Sequence, residues 1–176
     1  MTSDKTLGRG PLHRLRRLIL RGFRQLALPM LQRPRQVQTA ALCYRKAETG
    51  VQVLLITSRG TGRWIIPKGW LMRGKNAGEA AATEAWEEAG VQGAPPATTP
   101  IGSYIYDKIT NSGLPVTVET LVFPIEVRSL AQDYPEVSER DRRWLDPAEA
   151  AGMVAEPGLQ QILREFAGTL RETSGG

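Results

Sequence analysis

The sequence predicts an α+β protein, a mixed β-sheet held between helices. Three observations predict it. Strand-length stretches of alternating or branched apolar residues lie on both sides of a single Ala-rich helix. Gly, Pro and Asn clusters separate these stretches, and a helix with one apolar face closes the chain. At 176 residues the chain can hold one domain and a short extension. Residues 1–36 read as a basic extension, 37–172 as the domain and 173–176 as a disordered tail.

Residues to about Gly10 read as a tail. Leu12, Leu15, Ile19, Phe23, Leu26 and Met30 then form a helical stripe opposite Arg14, Arg17, Arg21 and Arg24. Gly22 weakens this helix and Pro29 ends or kinks it. A basic amphipathic helix can dock on its own domain, lie on an anionic membrane surface, or act as a targeting or partner segment. The absence of a clean apolar h-region and cleavage site argues against a secretory signal.

Two runs, residues 38–45 and 51–58, are joined by a polar turn and read as a hairpin; residues 63–68 form a third strand ended by Pro67 and Gly69. The helix follows from Asn76 to Gly90. Asn76 is a good N-cap, Glu79 can close a capping box, and Gly90 is a natural stop. Ala82, Ala85, Trp86 and Ala89 are expected to face the sheet. Residues 93–100 read as a loop. Residues 101–109 and 116–127 are two more strands around a turn with Asn111 and Gly113. A short strand at 141–146 precedes a helix capped by Asp146 and started by Pro147. Leu159, Ile162, Leu163, Phe166 and Leu170 give the last helix its apolar face.

Within the Ala-rich helix, Glu84, Glu87 and Glu88 share a face at i, i+3 and i+4. They stand in its last two turns, where the helix dipole disfavours each by ~0.3–1 kcal/mol. A divalent cation would remove that cost, and clustered carboxylates suit Mg²⁺ or Mn²⁺. A solvated acidic face is the alternative.

The charge is unevenly spread. Nine Lys/Arg against one acid give the first 36 residues +8, and with a total of +5 the other 140 carry −3. A nucleic-acid-binding core is therefore not expected. The single Cys43 excludes an internal disulfide and suits a buried core position, and the lone His13 gives no support to zinc or histidine catalysis. No apolar run approaches a membrane span, and a cytoplasmic protein is expected.

Gly69, Glu84, Glu87, Glu88, Gly90 and Val91 resemble the Nudix box, G-x5-E-x7-R-E-U-x-E-E-x-G-U. Two positions depart from it: Lys75 stands at the first Glu and Thr83 at the Arg. The resemblance, over about Val37 to Phe166, implies the Nudix fold and metal-dependent hydrolysis of a diphosphate linkage. It makes Glu84, Glu87 and Glu88 the catalytic residues. The metal set is Gly69, Glu84, Glu87 and Glu88, with Glu119 as a supplementary ligand or an ordinary surface residue. Residues 57–69 and 40–45 resemble the diphosphoinositol polyphosphate phosphohydrolase-like branch, of bacterial type, whose members also cleave diadenosine polyphosphates. Thr57, Ser58 and Arg59 occupy its phosphate-contacting turn. Lys68, Lys75 and Lys108 complete the expected substrate-binding set, and the expected partner is a small polyphosphate or nucleoside-diphosphate-X molecule. Thr83 leaves the glutamates without the box arginine, and no compensation is visible in sequence. Two alternatives are a Nudix-fold module that binds a phosphorylated ligand without turnover, and an N-terminal helix that anchors the protein to a membrane or partner.

Overall fold

The structure, a computed structural model, describes residues 35–48, 50–109 and 113–173. The expected N-terminal amphipathic helix, His13 and the turn residue Asn111 lie outside them, as does the side chain of Leu170. Eleven elements follow in order: β1 (Gln36–Ala47), β2 (Gly50–Thr57), β3 (Trp64–Ile65), β4 (Lys68–Trp70), α1 (Ala77–Ala89), β5 (Val91–Gly93), β6 (Gly102–Ile109), β7 (Pro115–Leu130), β8 (Arg142–Leu145), α2 (Pro147–Met153) and α3 (Pro157–Thr173).

β1 is the spine of a mixed sheet. It runs parallel to β7, from Gln36 opposite Val118 to Tyr44 opposite Glu126, and antiparallel to β2 and β4. β6 pairs antiparallel with β7, β5 with the far end of β7, and β3 and β8 with β2. Side chains alternate across this sheet with period two. Ala41, Cys43, Leu54, Ile56, Phe123 and Ile125 face α1, while Ala40, Leu42, Val53, Leu55 and Val122 face α2 and α3. Each face thus buries its own apolar layer, and the sheet lies between helices as the pattern predicts.

Three local readings change. The expected third strand divides at Ile66–Pro67: β3 pairs with β2, and β4 turns to pair with β1. Proline has no N–H for a ladder, but its carbonyl accepts from Ala41 N at 2.9 Å, which steers the chain into β4. Val91–Gly93, at the edge of the expected loop, pairs with the end of β7, itself longer than its apolar run. In α1 the fully buried face is Ala81, Ala85 and Ala89, whereas Ala82 and Trp86 are half-buried. The smallest side chains make the closest approach to the sheet, and the bulky indole stays at the flank.

Candidate active site

Helix α1 begins as its sequence dictates. The Asn76 side chain accepts from Glu79 N at 2.9 Å, and Glu79 Oε2 accepts from Asn76 N at 2.8 Å. Gly90 ends the helix at φ 64°, a left-handed conformation that favours glycine. Glu84 and Glu88 project from the last two turns toward β4 and the segment between β7 and β8, and Glu87 stands in the same turns.

Glu84 lies over β4. A Cβ on Gly69 would run into the Glu84 carboxylate, so only glycine leaves that group its place. Burial, followed by the Glu88, Glu87 and Glu136 carboxylates, pushes Glu84 up to about 7. Glu88 is buried, at 6% exposure. Its Oε2 accepts from Lys68 N at 2.9 Å, and its Oε1 accepts from Arg140 Nη2. Burial raises its pKa, while the Lys68 N–H and the Arg140 charge oppose the rise.

The segment between β7 and β8 straps the end of α1. Ala131 N donates to Gly90 O at 2.8 Å, and Glu136 N donates to Glu87 O at 3.1 Å. Arg142 Nη1 donates to Ala89 O at 2.9 Å and Ala131 O at 3.1 Å, placing a cation at the helix C-terminus. Arg140 also reaches Glu136 Oε2 at 2.6 Å and Thr57 O at 3.0 Å. The sequence reading missed Arg140, Arg142 and Glu136. Arg142 was legible only as part of the short strand at 141–146, and Arg140 lay outside it; Glu88 and Ala89, which they reach, lie more than fifty residues away along the chain.

The expected substrate-binding residues fall into three groups. In the turn after β2, the hydroxyls are engaged internally: Ser58 Oγ meets Thr61 Oγ1 at 2.6 Å and accepts from Arg63 N, and Thr57 Oγ1 accepts from Asp141 N at 2.9 Å. Arg59 is exposed and lies 3.3 Å from both Glu136 and Glu139. Lys68 and Lys108 each stand over a ring from the other's strand, Lys68 Nζ 5.7 Å from the Tyr106 ring and Lys108 Nζ 4.9 Å from the Trp70 ring. Burial lowers the Lys68 ammonium and Glu88 partly restores it. Lys75 instead turns to Thr83, donating to its Oγ1 at 2.6 Å. The two departures from the box therefore touch: where the pattern has a carboxylate and a guanidinium, this chain has an ammonium and a hydroxyl. Glu119 is half-buried on β7 and accepts from Ser103 Oγ at 3.1 Å, which ties it to β6 rather than to α1.

The donor set at the end of α1 fits a hard divalent cation. Glu84 is held over a glycine cradle, and burial followed by its carboxylate neighbours raises its pKa, a cost that a cation would offset. Among the described residues, no three acidic, imidazole or thiol groups already converge on one point.

Residues 34–166 match the family described as NUDIX domain. Nudix hydrolase 13, mitochondrial, from Arabidopsis thaliana is 32% identical over 130 residues, 71% of this chain and 64% of that protein. The chain thus spans less than two thirds of that relative. Diphosphoinositol polyphosphate phosphohydrolase 2 from Rattus norvegicus is 39% identical over 56 residues, 32% of this chain and 31% of that one. A Caenorhabditis elegans Ap4A hydrolase binary complex shares the fold at a TM-score of 0.59 and 20% identity, covering 78% of this chain and 98% of the other.

Proposed function

This chain belongs to the Nudix family, and from that premise we propose that it is a pyrophosphohydrolase cleaving a diphosphate linkage with Mg²⁺ or Mn²⁺. The observation that carries the reading is the Glu84 carboxylate, seated over Gly69 beside Glu87 and Glu88 with its pKa raised to about 7. Glu84, Glu87 and Glu88 would hold the ion, with the Gly69 backbone alongside. When bound, a divalent cation neutralises phosphate charge and activates water.

The protein's own groups bind and orient. Lys68 stands where one residue serves both sides of the reaction: its N–H fixes Glu88, and its ammonium neutralises a phosphate oxygen. Lys108, over the Trp70 ring, supplies a second ammonium. Arg59 must exchange one of its carboxylates for phosphate, and its exposure leaves that exchange open. The substrate proposed is a diphosphoinositol or dinucleoside polyphosphate, or a nucleoside diphosphate linked to a second group. Support comes from the local likeness to the rat phosphohydrolase and the pairing of Lys68 and Lys108 with aromatic rings. Chromatographic detection of the hydrolysis products of inositol pyrophosphates, diadenosine polyphosphates, nucleoside triphosphates and dinucleotide cofactors, with each metal, tests it. No metal-dependent cleavage of any of them would reject the enzyme in favour of a ligand-binding module.

A further inference from the structure

We propose that Arg140 is the positioning residue for Glu88, supplying from the strap before β8 the guanidinium that the box lacks at Thr83. The inference rests on the reading of Glu88 as a metal ligand.

The Arg140 side chain is 4% exposed, so its donors must be satisfied within the protein. They are spent on three separate elements: Nη2 on Glu88 Oε1, Nε on Glu136 Oε2 at 2.6 Å, and Nη1 on Thr57 O at 3.0 Å. A planar fork with fixed donor directions makes these contacts together, whereas an ammonium donates from one point. The Lys68 N–H takes the other Glu88 oxygen at 2.9 Å. Both oxygens are thereby fixed in place, yet an ionised carboxylate has about four acceptor sites and keeps room for a cation.

A second feature favours positioning over simple stabilisation. Burying a carboxylate and a guanidinium together is weak evidence for stability, because apolar residues of similar volume often do as well. Here the pair joins the end of α1 to the turn that carries Arg59. Arg59 itself lies 3.3 Å from Glu136, the second carboxylate on Arg140. The strap thus sets the direction of Glu88 relative to the turn after β2.

Charge and positioning make opposite forecasts. If Arg140 acted only as a charge, Arg140→Ala would tighten Mn²⁺ by removing a cation, and Arg140→Lys would bind as the wild type does. Positioning predicts that both weaken Mn²⁺, by about tenfold or more, the usual cost of losing a residue that orients a metal ligand. The experiment is Mn²⁺ titration of the full chain followed by electron paramagnetic resonance, without substrate, on wild type, Glu88→Gln, Arg140→Ala and Arg140→Lys. Circular dichroism checks that each variant is folded, and Arg140→Lys decides if the alanine variant is not. Equal affinity in wild type and Glu88→Gln would overturn Glu88 as a ligand, and the proposal with it. Weak binding by Glu88→Gln with wild-type affinity in Arg140→Lys would overturn Arg140 alone.

Discussion

At the N-terminal end of α1 the capping groups are local: Asn76 and Glu79 satisfy each other's backbone within three residues. At its C-terminal end none of the compensating charge is local, for the last turn carries no basic residue. Glu84, Glu87 and Glu88 stand there against the helix dipole. The offset comes from Arg140 and Arg142, which reach Glu88 and Ala89 from a separate segment. One end is built for stability by its neighbours in sequence. The other holds a concentration of negative charge that only the folded protein can tolerate. A helix end arranged in this way is suited to a cation, and its cost is spread over the strap and the turn after β2.

Changes at the C-terminal end should strike activity first. Glu88→Gln is expected to lower kcat about a thousandfold or more, since a bound metal supplies several kcal/mol of transition-state stabilisation. Dipole and repulsion arguments taken alone predict that this variant is more stable. The contacts predict the reverse: buried Arg140 loses a charged partner and retains Glu136, a loss of about 1–3 kcal/mol. Urea unfolding separates the two, and a stabilised variant would return Glu88 to the locally controlled class.

Gly69→Ala comes next. Its methyl group claims the space of the Glu84 carboxylate, so the side chain must swing away. A misplacement of that order costs about a hundredfold in kcat/KM. Stability should change little, because a flexible side-chain end yields. Unchanged kinetics would show that Glu84 need not sit over β4.

Asn76→Ala tests the opposite end. Loss of the cap should cost about 1 kcal/mol in thermal or urea unfolding. Activity well below the melting temperature should stay at the wild-type level, and a fall in kcat would mean the two ends are coupled.

The smallest effect concerns pH. Glu84 is raised to about 7 in the folded protein, above its ordinary value of 4.5, so the folded state binds the extra proton. The stability this contributes is complete below pH 4.5 and is lost as pH rises through about 7. Metal-free wild type should therefore lose more melting temperature than Glu84→Gln between pH 5.5 and 8. Parallel curves would show that the Glu84 environment does not favour the proton.

Local and periodic features were legible in the chain itself. The capping box, the Gly90 stop, the alternation that gives each sheet face its own apolar layer and the i, i+3, i+4 spacing of the glutamates all follow from backbone geometry and side-chain period. These depend on residues a few positions apart, and such relations survive in a one-dimensional text. Tertiary structure decided what those groups meet. Pro67 turned one expected strand into two because its carbonyl found Ala41 across the sheet. Thr57 and Ser58, expected to contact phosphate, have hydroxyls engaged in and around their own turn. Lys75 and Thr83, two separate departures in the text, became one contact. Arg140, invisible as a site residue, became the partner of Glu88 across fifty-two positions. Charges and hydrogen-bond donors act through space, and their consequences depend on burial and distance, which exist only once the chain has folded.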